Sequence, residues 1–272
     1  MNTPSVRNCI RLLLIVTLFI GTTFVTSLGD IPNPASAQDR KPTIVLVHGA
    51  FAESSSWTSV LTQLIPKGYP TVAAANPLRG VKSDADYIAS ILKGIKGPIV
   101  LVGHSYGGAV ITNAVKDNSN VKALVYVSGF APDTGETAAV LSGRYPGSTL
   151  GPTLAPPVVL PDGGKDLYIQ QDKFHAQFAA DVPDKDAQLM ASTQRPITEA
   201  ALNEGSSTPA WKSIPSWFIY GDRDLNIPAA VQVFMAKRVN SKETVVVKGA
   251  SHVVMVSHPN AVAEIIERAA SH

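Results

Sequence analysis

The chain has 272 residues, of which 45% are hydrophobic, and its formal net charge is +2 at pH 7. A chain of this length and composition can bury the core of a single α/β domain. Its balanced charge lacks the basic excess that nucleic-acid binding requires, so we expect no nucleic-acid partner.

The N-terminus has the organisation of a secretory signal peptide. Arg7 and Arg11 precede an apolar stretch over 12–28, and Ala35-Ser36-Ala37 supplies the small residues that a signal peptidase recognises. We therefore expect cleavage after Ala37 and bacterial export to the periplasm or the medium. An uncleaved membrane anchor is the alternative, but threonine, serine and glycine residues dilute the apolar stretch.

The only cysteine, Cys9, lies ahead of this apolar stretch and would leave with the signal peptide. The mature chain would then carry no thiol, which excludes disulfide bonds, a cysteine nucleophile and a thiolate metal site. We expect no cofactor, no metal and no stable membrane anchor after processing.

Predicted strands and helices alternate along most of the remaining chain. Strands are expected over 43–47, 71–75, 99–102, 121–127, 217–220 and 244–247, and helices around 57–64, 84–92, 109–115, 229–239 and 259–270. Ser83 or Asp84 is expected to cap the second helix, and Ser257 the last one. Alternation of this kind predicts an α/β fold with a mostly parallel twisted sheet and helices on both faces.

The alternation stops between about residues 130 and 214. This segment is rich in proline and glycine and contains no evident sheet strand, although a helix-like run includes Phe174 and Phe178. Because a loop of this length inside a compact domain is usually functional, we predict a cap that covers the strand ends within one domain over 38–272. A surface excursion or a small second domain is the alternative.

A candidate nucleophile follows the third predicted strand. The pattern Gly103-His104-Ser105-Tyr106-Gly107 places a serine between two glycines, directly after the apolar run 99–102. A serine on such a strand-to-helix turn projects its hydroxyl into a cleft at the carboxyl edge of the sheet. The alternative is an ordinary turn, since the pentapeptide alone occurs by chance.

An acid and a base follow two later strands. His252 comes after the last predicted strand, and Asp222 and Asp224 lie in the turn that ends the strand over 217–220. Loops at the carboxyl ends of parallel strands converge on one crevice, so we expect these groups to meet Ser105 there. The spacing alone leaves both aspartates open as the acid.

Four segments together resemble the α/β-hydrolase family across essentially all of the predicted mature chain: Val47-His48-Gly49-Ala50-Phe51, Gly103-His104-Ser105-Tyr106-Gly107-Gly108, Gly221-Asp222-Arg223-Asp224 and Ser251-His252. The resemblance implies that Ser105 is the nucleophile, that His252 is the general base and that Asp224 orients its imidazole. It also implies that the backbone N–H groups of Ala50 and Tyr106 form the oxyanion hole. His48 and His104 are expected to be structural.

Segments 51–57, 129–133 and 178–183 are similar to a subgroup of carboxylesterases, methyl-ester hydrolases, pyrethroid hydrolases and plant hydroxynitrile lyases. The lyases have a threonine and a lysine where this chain has Gly49 and Val253, so a cyanide leaving group would find no cation here. The resemblance therefore implies hydrolysis of small, fairly apolar esters. A lactonase, a perhydrolase and a small-molecule receptor with little turnover are the alternatives. The aromatic residues expected in the pocket wall are Phe51, Tyr106, Phe130, Tyr168, Phe174, Phe178 and Trp211.

Overall fold

The computed structural model describes residues 41–116 and 118–272. The predicted signal peptide and its cleavage site lie outside these residues. In the part of the chain that is described, no helix combines the length and the apolar character needed to cross a membrane.

A parallel sheet of six strands forms the centre of the described chain, and a separate small sheet has three strands. In chain order the nine strands of the described residues are β1 Thr43–Val47, β2 Thr71–Ala74, β3 Ile99–His104, β4 Val121–Val127, β5 Val158–Val159, β6 Lys165–Leu167, β7 Ile197–Thr198, β8 Ser216–Gly221 and β9 Glu243–Val247. The large sheet has the order β2-β1-β3-β4-β8-β9, and every pair of neighbours in it is parallel. The predicted α/β fold is confirmed.

The described residues also form eleven α-helices. In chain order they are α1 Thr58–Leu64, α2 Val81–Lys93, α3 Tyr106–Ala114, α4 Ala138–Ser142, α5 Leu150–Thr153, α6 Gln171–Phe178, α7 Asp184–Thr193, α8 Glu199–Asn203, α9 Ala229–Arg238, α10 Val254–Ser257 and α11 Pro259–Ala270. Helix α11 packs against β3, β4 and β8 and against α1, while α2 packs against α3. All six residues of β3 are buried. A strand that is covered on both faces has a nearly continuous apolar sequence, which is the pattern seen here.

Two predicted helix caps are wrong. Helix α2 begins at Val81 with Gly80 as its N-cap, so Ser83 and Asp84 lie inside its first turn. The carboxylate of Asp84 accepts a hydrogen bond from the backbone N–H of Arg79 instead of capping the helix from its N-cap position. Helix α11 has His258 at its N-cap, because the predicted cap Ser257 is the last residue of α10.

The segment over 130–214, called the cap segment or the cap below, adds no strand to the large sheet. It contains α4 to α8 and a small antiparallel sheet of order β5-β6-β7, so the expectation that it holds no sheet strand is wrong. These strands have only two or three residues each. Close to the end of the segment, the indole N–H of Trp211 donates to the carbonyl of Pro132 at 2.9 Å. This bond joins the two ends of the segment.

Candidate active site

Ser105 occupies the turn between β3 and α3 in a strained conformation. Its φ is +52° and its ψ is −124°, values that are rare for a residue with a side chain. Its carbonyl accepts from the N–H groups of Gly108 at 2.9 Å and Phe130 at 3.0 Å, and its own N–H donates to Val127 at 3.3 Å. These three bonds hold the strained turn in place. The serine is 7% exposed and lines a cavity of about 440 Å³.

The turn also depends on the close approach of Gly49. A Cβ atom added at Gly49 would lie 2.5 Å from the Cβ of Ser105 and 2.8 Å from the carbonyl oxygen of His104. No side chain fits at such distances without moving the backbone. Glycine at position 49 therefore lets the loop after β1 lie directly beside Ser105.

His252 is held by a buried aspartate. Its Nδ1 lies 2.7 Å from Oδ2 of Asp224, and both side chains are almost completely buried. The other oxygen of Asp224 accepts from the N–H groups of Asn226 at 2.8 Å and Ile227 at 2.9 Å. The carboxylate thus orients the imidazole with its proton on Nδ1, which leaves a lone pair on Nε2.

The free nitrogen of His252 and the hydroxyl of Ser105 border the same cavity. Within the described residues, Nε2 of His252 is buried and has no hydrogen-bond partner, so it is not bonded to Ser105 Oγ. Hydrogen bonds between a nucleophile and its base are often long in the absence of substrate. The structure therefore brings the three predicted residues to one place, with the base available to accept a proton.

The second aspartate of the turn has a different role. Asp222 is exposed, and its Oδ1 accepts from the N–H of Gly249 at 2.6 Å. This bond joins the loop after β8 to the loop after β9. Because Asp224 contacts His252 and Asp222 does not, the geometry favours Asp224 as the acid.

The two candidate oxyanion donors are the backbone N–H groups of Ala50 and Tyr106. Ala50 lines the cavity, and within the described residues its N–H has no acceptor. Tyr106 is the first residue of α3, where N–H groups have no partner inside the helix. Phe51 follows Ala50 in the loop after β1. It has a φ of +59° and donates its N–H to the carbonyl of Arg195 at 3.0 Å. The cap segment thus fixes the loop that carries Ala50.

The two other histidines near the turn are structural in their contacts. Nε2 of His48 accepts from the N–H of Asn76 at 2.9 Å, so the ring proton is on Nδ1, which lies 2.9 Å from the carbonyl of Gly49. His104 is fully buried, and its Nε2 lies 3.3 Å from the carbonyl of His252. Burial lowers the pKa of His48 and lowers that of His104 well below its ordinary value of 6.5.

Three of the seven aromatic residues expected in the pocket wall line the cavity, namely Phe51, Phe130 and Phe178. Phe174 does not reach it, because its ring is fully buried against Phe178 with 4.9 Å between centroids. Tyr168 and Trp211 are also absent from the lining. The side chain of Tyr106 points elsewhere, since its hydroxyl donates to Asp84 at 3.0 Å. These four expectations about the wall are wrong.

Much of the wall consists of small or aliphatic residues that sequence analysis missed. They lie in the cap and are Ala138, Ala139, Ser142, Gly143, Ser148, Leu150, Gly151, Pro152, Leu154 and Leu202. No aspartate, glutamate, lysine or arginine is among the residues that line the cavity. No sequence motif identifies these cap residues, because they form the cavity by leaving space and carry no reactive group.

The cap also contacts the loop that carries the acid. The amide nitrogen of buried Gln177 lies 3.0 Å from the carbonyl of Leu225 and 3.1 Å from Oδ1 of Asn226. Its amide oxygen accepts from the hydroxyl of Thr149 at 2.7 Å. The hydroxyl of Ser142 donates to the carbonyl of Asn226 at 2.9 Å. The residues that follow Asp224 are therefore held between the sheet and the cap.

Comparison with known proteins agrees with this fold. A family model described as "Alpha/beta hydrolase family" matches residues 44–265. The chain is 29% identical over 246 residues to a pyrethroid hydrolase from Sphingobium wenxiniae, with 82% of this chain and 85% of that one covered. It is 26% identical over 247 residues to methylesterase 3 from Arabidopsis thaliana, with 82% and 94% covered. Among solved structures, polyneuridine aldehyde esterase superimposes with a TM-score of 0.72 at 18% identity, covering 84% of this chain and 98% of that one. The resemblance suggested by the sequence motifs is thus confirmed, and the chain belongs to the alpha/beta hydrolase family.

Proposed function

We propose that this protein hydrolyses carboxylic esters of small, neutral, fairly apolar compounds through an acyl-enzyme on Ser105. The observation that carries the proposal is the unbonded Nε2 of His252, which borders the same cavity as Ser105 while Asp224 holds Nδ1 at 2.7 Å. A serine hydroxyl is a weak nucleophile unless an adjacent base takes its proton. The position of His252 suits it to be that base.

The proposed reaction has two halves. His252 Nε2 takes the hydroxyl proton of Ser105 while Oγ forms a bond with the ester carbonyl carbon, and the N–H groups of Ala50 and Tyr106 stabilise the oxyanion. The imidazolium, stabilised by Asp224, then gives its proton to the leaving alcohol as the C–O bond breaks. Water repeats the sequence on the acyl-enzyme, which releases the acid and restores Ser105.

The cavity supports a neutral and largely apolar substrate. Its volume of about 440 Å³ lies within the range of small-molecule pockets, roughly 300–1,000 Å³. A charged substituent would lose its hydration there without meeting an opposite charge, because the lining residues include no acidic or basic side chain other than His252. Similarity to proteins named pyrethroid hydrolase and methylesterase supports an ester as the substrate class.

Cyanohydrin cleavage is disfavoured, although the chain is 24% identical to an Arabidopsis thaliana alpha-hydroxynitrile lyase over 243 residues. Val253, directly after the proposed base, is buried and uncharged, so it cannot stabilise cyanide. A threonine at position 49 would place its Cβ about 2.5 Å from that of Ser105. The backbone around Ser105 therefore does not accommodate the lyase pattern.

The decisive experiment uses p-nitrophenyl acetate, butyrate and octanoate, with γ-butyrolactone and peracid formation from acetate and hydrogen peroxide as further assays. We expect burst release of p-nitrophenol from at least one ester and its complete loss in Ser105→Ala. Ser128→Ala is the matched control, because Ser128 is also buried, also follows a strand and has a φ of +42°, but does not line the cavity. It should keep the activity.

The alternatives give different results in the same experiment. If only the lactone assay or only the peracid assay shows turnover, and Ser105→Ala abolishes it, the protein is a lactonase or a perhydrolase instead of an esterase. A folded protein that binds these esters saturably without turnover would be a receptor. An esterase activity that survives Ser105→Ala would refute the role of Ser105.

We also propose that the protein is exported to the periplasm or the medium, with residues 1–37 removed. The support is the basic, apolar and small-residue order of the N-terminal sequence. N-terminal sequencing of the protein from the extracellular or periplasmic fraction of a bacterial host should start at Gln38. Retention of Met1 on a membrane-bound protein would instead indicate an uncleaved anchor.

A further inference from the structure

Asp84 is a buried carboxylate for which the proposed mechanism has no use. It lies in the first turn of α2 with no exposed surface, and burial raises its pKa. Both of its oxygens lie 3.1 Å from the backbone nitrogen of Arg79, and Oδ2 accepts from the hydroxyl of Tyr106 at 3.0 Å. A carboxylate is costly to bury unless hydrogen bonds replace its water, so its contacts show what it holds in place.

The contact with Tyr106 connects Asp84 to the candidate oxyanion hole. Tyr106 is the first residue of α3, so its N–H lies beside Ser105 while its side chain runs away from the cavity to Asp84. The ring is completely buried. Because both ends of this residue are fixed, the orientation of the first peptide of α3 depends on where the hydroxyl is held. That peptide adjoins Ser105, whose φ of +52° requires support from its surroundings.

A chain of contacts extends from Asp84 to the cap. The guanidinium of Arg79 lies 2.7 Å from Oδ1 of Asp166 in β6 and 3.1 Å from the carbonyl of Pro196. The hydroxyl of Thr198 in β7 donates to the carbonyl of Arg79 at 3.0 Å. Arg79 is therefore fixed by the small sheet of the cap, and its backbone N–H in turn fixes Asp84.

We propose that Asp84 is a positioning residue for the oxyanion donor at Tyr106: its hydrogen bond to the tyrosine hydroxyl orients the first peptide of α3 so that the Tyr106 N–H points at the developing oxyanion. Asp84 touches neither substrate nor Ser105 and acts only through Tyr106. This inference rests on the proposed function, since an oxyanion donor matters only for acyl transfer.

The test compares two buried tyrosines, each of which forms a hydrogen bond through its hydroxyl. Tyr106→Phe removes the hydroxyl that binds Asp84 and keeps the ring and the backbone N–H. Tyr126→Phe is the matched control, because Tyr126 is equally buried and its hydroxyl lies 2.9 Å from that of Thr112 in the same helix α3. Both variants lose one buried hydrogen bond, so a purely structural role predicts the same behaviour in each.

We expect kcat of Tyr106→Phe to fall about tenfold while KM stays within about twofold of the wild-type value. Loss of a whole oxyanion donor costs more, about 10²- to 10³-fold in kcat. Inhibition by an aryl trifluoromethyl ketone, which forms a tetrahedral adduct on Ser105, should weaken by the same factor. Tyr126→Phe should keep both values while losing a similar amount of thermal stability. Asp84→Leu, which offers no acceptor to the hydroxyl of Tyr106, should lower kcat in the same way, and the double variant Asp84→Leu/Tyr106→Phe should be no slower than the slower single variant.

The outcomes separate the two proposals. If the wild type is active, Ser105→Ala is not, and Tyr106→Phe keeps its kcat and its affinity for the ketone, then Asp84 has only a structural role and this inference is overturned. Equal losses of kcat in Tyr106→Phe and Tyr126→Phe would overturn it as well. A wild type that hydrolyses no ester would overturn the proposed function and this inference with it. Should Asp84→Leu not fold, the comparison of the two tyrosine variants still decides.

Discussion

Two aspartates that lie two residues apart in one turn face different surroundings. Asp224 is 4% exposed, and its oxygens accept from an imidazole and from two backbone N–H groups. Asp222 faces solvent and accepts from one backbone N–H of the neighbouring loop. A carboxylate that is buried and bonded on both oxygens can fix the orientation of a ring, whereas an exposed one only joins two loops.

This difference predicts the effect of two matched substitutions. Asp224→Asn should lower kcat by roughly 10³- to 10⁴-fold, because an amide nitrogen facing Nδ1 would favour the tautomer with its proton on Nε2. Asp222→Asn should stay within about twofold of the wild type, since an amide oxygen can still accept from Gly249. Steady-state kinetics on the best p-nitrophenyl ester measure both. Comparable losses in the two variants would contradict the assignment of Asp224.

The residues with reactive groups could be predicted and the residues that shape the pocket could not. Ser105, Asp224 and His252 each follow a strong apolar strand, so their place at one edge of the sheet follows from the strand order. Phe174 has the composition expected of a pocket wall, but it lies behind Phe178. Helix periodicity places both rings on one helix without fixing which one faces the cavity.

At the scale of elements, the cap is attached to the core through the loop after β8. Gln177 in α6 is 4% exposed and bonds to the backbone of Leu225 and to the side chains of Asn226 and Thr149. Leu225 and Asn226 lie in the loop after β8, whereas Thr149 lies in the cap. One amide group thus links α6, the start of α5 and the loop that positions Asp224.

Replacement of this amide should affect both stability and catalysis. Gln177→Leu keeps a similar volume but leaves Oδ1 of Asn226 and the hydroxyl of Thr149 without their partner, so the free energy of unfolding should fall by about 1–3 kcal/mol. Displacement of the acid loop should also lower kcat/KM, by up to about 10²-fold. Gln188→Leu on the exposed face of α7 is the control and should change neither quantity. Urea unfolding and ester kinetics provide the two measurements, and an unchanged kcat/KM in Gln177→Leu would show that the cap does not position the loop.

The elements of the core were easier to predict than those of the cap for a physical reason. Strands β1 and β4 and helix α11 have the bounds that their apolar patterns predict, because each pattern is long and is bounded by turn residues. Strands β5 and β7 have two residues each, which is too short for any periodicity to appear. Asp84 does not cap α2, because its carboxylate accepts from the N–H of Arg79 and from the hydroxyl of distant Tyr106, and local sequence does not encode the second contact.

At the scale of the whole molecule, two buried histidines make the fold sensitive to acid. His48 and His104 have no exposed surface, and burial lowers the pKa of both below 6.5. The unfolded chain therefore binds protons at these positions at a pH where the native protein does not. Under this condition the free energy of unfolding decreases as the pH falls. The pKa of Asp84 is raised by burial, so its contribution has the opposite sign and favours the native state at lower pH.

We predict that the free energy of unfolding, measured with urea, falls by roughly 1–3 kcal/mol between pH 7.5 and pH 5.5, since each histidine that stays neutral contributes up to about 1.4 kcal/mol per pH unit below 6.5. His104→Gln keeps an N–H donor for the carbonyl of His252 and cannot titrate, so about half of this decrease should disappear while the contribution of Asp84 is unchanged. His272→Gln, at an exposed terminal position, should show the wild-type decrease. An identical decrease in all three proteins would mean that buried His104 does not control the acid sensitivity of the fold.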